Sequence, residues 1–366
     1  MSAPQNAHRP AGRRVWLGLA LAAVLLAVLV FSLLQSKRER PAYTATYWDV
    51  FDTVVMVTGY ADSEEAWNAQ AEALHADLQR YNQLFDIYNA YPGVENLYTV
   101  NQNAGKSPVK VDPAILQLVE LGKQMYTETN GACNIAGGAV LTLWHDARTA
   151  GLNDPGHAAL PDAAALAGAG AHVDIEKVVT DDAASTLYLS DAAMSLDVGS
   201  IAKGWATEAA AQAAEARGLK SALISAGGNL RAIGAKPDGT AWTAGVDNPW
   251  PDSEGNYSGE PVARIALQSG ESLVVSGDYQ RYYTVDGKKY SHLIDPATLY
   301  PAVYMNEVAV LCQNSGIADA LSTGLFCMSV ADGQALVSSL PGVEAVWMTA
   351  DRAVAMSAGF EAHAAK

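Results

Sequence analysis

Asp319 and Thr323 lie four residues apart in the stretch GIADALSTGLF, whose apolar spacing predicts a helix. Four residues make about one helical turn, so both side-chain oxygens leave the same face and could share a hard cation such as Mg²⁺. A simpler arrangement has Asp319 stabilising the positive end of the helix while Thr323 packs. The pair alone leaves both alternatives open.

Two further segments carry residues suited to binding an anion. Lys203 in GSIAKG lies at the start of a predicted helix, where a cation is unfavourable unless an anion binds beside it. Gly227 and Gly228 in SAGGNL separate two predicted strands, and they either form a tight turn or let the backbone approach a nucleotide phosphate. The sequence has no GxxxxGK[ST] and no GxGxxG, which excludes nucleotide binding through those motifs.

His292 stands near the end of SGDYQRYYTVDGKKYSHLIDP, which covers residues 276–296. This segment predicts a β-hairpin with its turn at Asp286 and Gly287. His292 precedes Asp295 by three residues, so it is either a core histidine bonded to that carboxylate or a group that contacts ligand and moves a proton. The residues on either side of the hairpin are the candidates for chemistry.

The surrounding elements predict an α+β fold. Residues 49–60 are rich in β-branched side chains and predict a strand, and a helix capped by Ser63 follows. A second helix begins at Asp112, and residues 87–108 between the two helices predict a long loop. Strands and helices mix further along without strict alternation, which favours mixed or antiparallel sheets with packed helices over a doubly wound sheet.

The N-terminal residues predict a membrane anchor. Residues 15–34 contain no charge and match the roughly 20 residues that span a bilayer, longer than the apolar part of a cleaved signal peptide. We therefore expect a cytoplasmic segment at 1–14, a transmembrane signal-anchor at 15–35, a linker at 36–47 and a catalytic domain at 48–360. The domain is expected on the extracytoplasmic side of the cell membrane.

Composition excludes two classes of protein. The chain has a formal net charge of −16, and residues 41–366 hold 17 basic and 38 acidic residues, so a nucleic-acid-binding surface is not expected. The three cysteines, at positions 133, 312 and 327, have no CxxC spacing, which argues against a zinc ribbon or a disulfide framework.

Five ordered blocks resemble the FAD:protein FMN transferase family, often called ApbE. They are LDVGSIAKGWATE (196–208), LISAGGNL (223–230), VVSGDYQRYY (274–283), YSHLIDP (290–296) and GIADALSTGLF (316–326). Three upstream segments are also similar, namely DTVVMVTGY (52–60), LFDIYNAYPGVENLYTVN (84–101) and TNGACNIAGGAVLTLWH (129–145). The resemblance covers about residues 48–350, and it implies an ApbE-like fold related to the T-fold.

The resemblance also implies a reaction and the residues that perform it. Members use Mg²⁺ and transfer the FMN half of FAD to a Thr or Ser hydroxyl of an exported or membrane flavoprotein, with release of AMP. By the match of motifs, the metal ligands are the Ser200 carbonyl, Asp319 and Thr323, and the residues that act on the reacting groups are His292, Asp278 and Lys203. The implied flavin nucleotide contacts are Asn101, Lys203, Gly227, Gly228, Asn229, Ser276, Gly277, Asp278, Tyr279, His292 and Asp295.

Departures from the family pattern concern mainly the flavin's surroundings, and one of them is the upstream loop with Tyr91-Pro92-Gly93, which lacks the family's Ser-x-hydrophobic run. Leu299 stands where the family usually has Gly after HxxDPxT, GACN (131–134) replaces Gly-Ala-Phe-Asp, and Ser200 replaces a Gly. Two other functions remain open from the sequence: an FAD pyrophosphatase with the same metal site, in which water replaces the acceptor hydroxyl, and a membrane-tethered protein that binds FAD without turning it over.

Overall fold

The computed structural model describes residues 41–252, 255–257 and 259–365. The predicted cytoplasmic segment and transmembrane anchor at 1–35 lie outside the described residues. Within the described ranges, no helix combines the length and the apolar character needed to cross a membrane.

The described residues form seventeen strands and eight α-helices. The strands are β1 (Ala42–Val50), β2 (Thr53–Tyr60), β3 (Val109–Lys110), β4 (Val178–Asp181), β5 (Thr186–Leu189), β6 (Ala222–Ala226), β7 (Asn229–Ile233), β8 (Trp242–Val246), β9 (Ala263–Leu267), β10 (Ser272–Gly277), β11 (Tyr282–Val285), β12 (Lys288–Ser291), β13 (Ile294–Asp295), β14 (Tyr300–Pro301), β15 (Glu307–Cys312), β16 (Glu344–Met348) and β17 (Val354–Met356). The helices are α1 (Glu64–Phe85), α2 (Leu97–Gln102), α3 (Pro113–Glu128), α4 (Gly138–Asn153), α5 (Ala163–Gly170), α6 (Ala202–Ala216), α7 (Ser315–Phe326) and α8 (Val330–Ser339).

An eight-stranded sheet forms the centre, and every neighbouring pair in it is antiparallel. The order across the sheet is β1, β2, β6, β7, β10, β15, β16, β17. This large antiparallel sheet with packed helices confirms the predicted α+β class.

Side chains of the central strands alternate between two covered faces. Val308 and Val310 of β15 pack in the cluster that includes α1, α6 and α7, whereas Ala309 and Leu311 pack under the β8–β9 hairpin. All six residues of β15 are buried, because successive side chains of a strand point to opposite faces and both faces are covered. The helix-covered face is the one that leads to the candidate site.

Several predicted elements are confirmed by local contacts. The Ser63 hydroxyl accepts a hydrogen bond from the backbone N–H of Ala66 at 3.1 Å and starts α1, and Asp112 caps α3 in the same manner. β11 and β12 form the predicted hairpin, in which Asp286 adopts a left-handed conformation with φ 49°.

The structure differs from the predictions in three segments. Residues 42–47, expected to be linker, form the first part of β1 and pair with β2. The predicted loop at 87–108 contains the short helix α2, which is capped by the Asn96 side chain. Helix α4 was not predicted, because the Gly-Gly pair at its start is typical of a turn or loop.

A buried ion pair joins the sheet to two of the helices. The Arg231 guanidinium of β7 is only 4 % exposed and donates two hydrogen bonds to the Glu208 carboxylate of α6, at 2.9 and 3.0 Å. Glu208 also accepts the backbone N–H of Ser315, the first residue of α7, at 3.0 Å. The middle of α6 and the start of α7 are therefore fixed relative to the sheet and to each other.

Candidate active site

A cavity of about 330 Å³ lies where α4, α6, α7 and the end of β10 meet. This volume is within the range of small-molecule sites in proteins. Its lining includes Ser200, Lys203, Asp319, Thr323 and His292, together with Ser276, so the structure brings together residues from four of the five blocks singled out in the sequence. Gly227 of the remaining block lines the same cavity.

We call Ser200, Lys203, Asp319 and Thr323 the polar wall. Gly204 allows this wall to form, because a Cβ there would lie 2.2 Å from the Ser315 carbonyl and 2.5 Å from the Asp319 Cβ. Its backbone N–H donates to the Asp319 carboxylate at 2.7 Å. The start of α6 can approach α7 this closely only without a side chain.

Asp319 is the buried carboxylate of the polar wall, with 3 % of its surface exposed. Burial raises its pKa above the usual range, while the Lys203 ammonium, 3.7 Å from its Oδ1, opposes that rise and favours the ionised form. Asn229 lies beside it and also favours the carboxylate. Asp319, Thr323 and Ser200, which could supply one carboxylate, one hydroxyl and one carbonyl oxygen, all line the cavity.

This donor set fits Mg²⁺ only if substrate completes it. All three ligands offer oxygen, which Mg²⁺ prefers, and Mg²⁺ is commonly held by one or two carboxylates together with substrate phosphates. Among the described residues there is no group of three or more His, Cys, Asp or Glu side chains that could hold a metal by themselves. Ser200, Asp319 and Thr323 therefore fit a metal that arrives with a phosphate ligand.

Gly227 closes the turn between β6 and β7 beside the polar wall. Its φ is 53°, and a Cβ would lie 2.1 Å from the Thr53 hydroxyl oxygen. Both the left-handed backbone and the close contact require glycine. The predicted glycine turn is confirmed, and at Gly227 it exposes bare backbone to the cavity.

His292 is held as a neutral imidazole. The Arg281 carbonyl accepts hydrogen bonds from the His292 backbone N–H at 3.0 Å and from Nδ1 at 3.1 Å, which leaves the Nε2 lone pair free. Burial, and to a smaller extent the nearby cations Arg281, Arg148 and Lys203, lower the pKa of His292 to about 3. A proton acceptor in its active form thus lines the cavity at neutral pH.

The opposite side of the cavity is apolar and comes from distant segments. We call Val140, Trp144, Tyr283, Ile294 and Leu299 the apolar wall; all five belong to one hydrophobic cluster. The Trp144 indole N–H donates to the Leu299 carbonyl at 2.9 Å and ties α4 to the turn after β13. A flat apolar ligand could pack against this wall.

Leu299 adopts a backbone conformation that favours glycine. Its φ is 64°, in the left-handed region, and its side chain contacts Gly170, where an added Cβ would lie 2.6 Å from the leucine Cδ1. Leucine thus adopts an unfavourable conformation and gains apolar contacts.

The GACN departure also places polar groups at the cavity. Asn134 lines it, donates to the Val173 carbonyl at 2.9 Å and accepts from the Ala136 N–H. The Cys133 thiol is fully buried, and burial raises its pKa to about 12. Cys133 is a packed thiol, as expected from sequence.

Six of the predicted nucleotide contacts, Asp295 among them, are not among the cavity-lining residues. The Asn101 amide donates to the Leu196 carbonyl and accepts its N–H, so it positions the chain before Ser200. Asp278 binds Lys289 and Asn306, each at 3.2 Å, because the chain after β10 turns its side chain away. The others are Gly228, Asn229 and Tyr279, of which Tyr279 stacks on Tyr257.

Asp295 is also placed differently from the prediction. Its carboxylate accepts the Ala297 N–H at 2.8 Å and the Tyr304 hydroxyl at 3.1 Å, and the residue is 3 % exposed. It therefore fixes the turn after His292 and does not line the cavity. Neither does it bond to the histidine, which was the alternative role.

Among the polar cavity residues that sequence reasoning missed are three with charged side chains and one histidine. They are His145, Arg148, Asp197 and Arg281. His145 and Arg148 lie on α4 one turn beyond Leu141 and Trp144, so their helical spacing was the available signal. Asp197 accepts the Gly199 N–H at 2.8 Å, and burial raises its pKa.

Comparison with known proteins identifies the family to which the chain belongs. The sequence profile of the ApbE family matches residues 51–347. The chain is 34% identical over 307 residues to the FAD:protein FMN transferase of Treponema pallidum, covering 79% of this chain and 81% of that protein. It is 28% identical over 281 residues to one from Klebsiella pneumoniae, covering 76% and 82%.

Solved structures agree with the sequence comparison. The ApbE protein of Thermotoga maritima superposes with a TM-score of 0.77 at 26% identity, covering 89% of this chain and 100% of that one. The flavin transferase ApbE of Vibrio cholerae gives a TM-score of 0.72 at 23% identity, covering 88% and 100%, and supports the fold alone. The chain described here belongs to the ApbE family.

Proposed function

We propose that this protein transfers the FMN half of FAD to a Thr or Ser hydroxyl of an exported or membrane flavoprotein and releases AMP. The observation that carries the proposal is the single cavity, in which Lys203, Asp319 and Thr323 lie on the polar wall and His292 lines the same space beside an apolar wall. Such a cavity suits a ligand with a charged centre and a flat apolar end. The names of the Treponema and Klebsiella relatives support the same activity.

The proposed step is a displacement at the phosphorus of the FMN half. His292 Nε2 accepts the proton of the acceptor hydroxyl as its oxygen forms a bond to that phosphorus. The bond between this phosphorus and the bridging pyrophosphate oxygen breaks, and the bridging oxygen leaves on AMP with the electron pair. FMN is then joined to the acceptor through a phosphodiester.

The polar wall binds the pyrophosphate and orients it for this step. Ser200, Asp319 and Thr323 would hold Mg²⁺, which when bound neutralises charge on the phosphate oxygens. Lys203 lies beside Asp319 and donates to an anion arriving at the start of α6. The apolar wall packs the flavin ring and excludes water from the reacting groups.

The location of the reaction is proposed from the sequence alone. The uncharged residues 15–34 support a single-pass anchor, and we place the catalytic domain on the extracytoplasmic side. The acceptor would then be an exported or membrane-bound flavoprotein subunit.

The test uses the full chain in detergent with FAD, Mg²⁺ and an exported flavoprotein as acceptor. We expect the intact mass of the acceptor to rise by one FMN residue, with one AMP formed per transfer and no reaction in the presence of a chelator. AMP and free FMN without a change in acceptor mass would show a pyrophosphatase instead. FAD binding with no AMP would show a flavin-binding protein.

A further inference from the structure

Two arginines of the cavity have no ion-pair partner among the described residues. Arg148 is half-buried on α4, and Arg281 is exposed between β10 and β11. Arg281 donates to the Asp52 carbonyl at 3.2 Å, a contact that leaves its charge uncompensated. The arginines that do form ion pairs in the described chain are Arg80, Arg217, Arg231 and Arg264.

The charges around these arginines do not balance without a ligand. The cavity is lined by three cations, Lys203, Arg148 and Arg281, and by the carboxylates Asp197 and Asp319. Lys203 is already close to Asp319, and Asp197 lies beyond ion-pair distance of Arg148. Like charges held together are unfavourable, and the surplus of positive charge stands out in a chain with net charge −16.

The arginines lie on the side of the cavity where the proton is accepted. The Arg281 carbonyl holds the Nδ1 of His292, and both guanidiniums act electrostatically on that imidazole and on each other. Asp319 and Lys203 lie on the polar wall. An anion bound between these groups would contact the two guanidiniums on the side of His292. It would also contact the proposed metal ligands on the polar wall.

We propose that Arg148 and Arg281 form a guanidinium clamp on the phosphoryl group of the FMN half, the group that is transferred. The inference rests on the proposed function, because it assigns the clamp to the phosphorus attacked by the hydroxyl next to His292. Guanidiniums match phosphate oxygens through paired N–H donors, and they stabilise charge that builds up during transfer. Both residues are therefore binding groups that act most strongly in the transition state.

Binding of inorganic pyrophosphate by the full chain in detergent with a chelator present tests the clamp without turnover. We expect Arg148→Met and Arg281→Met each to weaken pyrophosphate binding about 10- to 100-fold, the usual effect of losing a hydrogen bond to a charged group. Riboflavin, which has no phosphate, should bind all variants within about twofold of the parent. Arg264→Met, which removes an exposed and ion-paired arginine, is the matched control and should change neither pyrophosphate binding nor riboflavin binding.

Thermal unfolding distinguishes a clamp from a structural role. Removing one of two uncompensated charges should leave the Tm of ligand-free Arg148→Met equal to or above that of the parent, whereas a structural arginine would lower it. Arg148→Lys should restore part of the pyrophosphate binding, since it keeps the charge without the paired donors. A parent that does not bind pyrophosphate, or variants that bind it as tightly as the parent, would overturn the clamp.

Kinetics separates failure of the clamp from failure of the proposed function. For FMN transfer, the variants should lower kcat more than they raise the KM for FAD. If the parent binds pyrophosphate through the arginines but transfers no FMN, the proposed reaction is wrong and the anion site remains. If the parent transfers FMN and the variants keep its kcat, the clamp is wrong and the reaction remains.

Discussion

The two walls of the cavity are built in different ways. The polar wall depends on short-range backbone geometry, in which Gly204 lets α6 approach α7 and its N–H holds Asp319 at 2.7 Å. The apolar wall depends on side chains from α4, β11 and the turn at Leu299, which are distant in sequence and joined by packing. Small changes in the polar wall should therefore affect the chemistry, while similar changes in the apolar wall should mainly affect binding.

Asp319→Ala should give the largest effect and tests whether the polar wall carries the chemistry. We expect FMN transfer to fall roughly 10⁴-fold or more, because the only carboxylate among the proposed metal ligands is lost. The fold should persist, since alanine removes a buried charge and leaves no unpaired carboxylate. Turnover is measured by AMP release, and circular dichroism checks that the variant is folded. Full activity of Asp319→Ala would show that Asp319 is not a metal ligand.

His292→Ala tests a group that lies between the walls. We expect kcat to fall roughly 10²- to 10³-fold through loss of the proton acceptor, with the KM for FAD little changed. The rate is measured at saturating FAD and acceptor. A rate equal to that of the parent would make the histidine structural.

The pH dependence of transfer gives a second test of His292. Because its pKa is lowered to about 3, the imidazole stays unprotonated as the pH falls from 8 to 5, and it should impose no loss of kcat/KM near pH 6.5. Asp319, whose pKa is raised, can still cause a loss on the acid side. If the parent loses activity near pH 6.5 and the residual activity of His292→Ala does not, then His292 becomes protonated near that pH and its assignment as a neutral imidazole is wrong.

Gly204→Ala tests whether backbone geometry governs the polar wall. The added Cβ would collide with the Ser315 carbonyl and Asp319, so α6 and α7 must separate. We expect about 1–3 kcal/mol less stability and roughly 10- to 100-fold slower transfer, since small displacements of reacting groups are costly. Gly168→Ala on α5 is the control; it has open space around the new Cβ and should be neutral or stabilising by up to about 1 kcal/mol.

Leu299→Gly tests the apolar wall and should have the smallest effect on stability. Relief of the left-handed conformation, about 1–2 kcal/mol, offsets the lost side-chain packing, so the free energy of unfolding should change by less than about 1 kcal/mol. Riboflavin binding should weaken severalfold. Ser185→Gly, with φ 54° and no large apolar side chain to lose, should stabilise by about 0.5–1 kcal/mol in the same denaturant titration.

Each half of the polar wall was predictable from the sequence because its determinants are local, whereas the contact between the halves, which are 115 residues apart at Gly204 and Asp319, comes from the fold. The four-residue spacing of Asp319 and Thr323 and the position of Lys203 at a helix start both follow from helix geometry, and the structure brings them together. The apolar wall was not predicted, although Val140, Trp144 and Arg148 recur every fourth residue along α4. Recognising that stripe requires knowing that the Gly-Gly pair starts a helix.

Asp278 shows a different limit of sequence reasoning. Its SGDY block was assigned correctly to the cavity through Ser276 and Gly277, yet its own side chain binds Lys289 and Asn306. Membership of a motif identifies a segment, whereas the direction of each side chain depends on the strands that pair with it. Asn101 and Asp295 also bond to their own chain and do not line the cavity.

The buried Arg231 and Glu208 pair has a consequence for how the protein opens. It connects β7 to α6 directly and to the first residue of α7 through the Ser315 N–H, so none of the three elements can detach without exposing an unpaired buried charge. Amide protons of β7, α6 and α7 should therefore exchange with deuterium as one cooperative unit, slower than those of the β11–β12 hairpin. Local fluctuations would then loosen the apolar wall while the polar wall stays assembled.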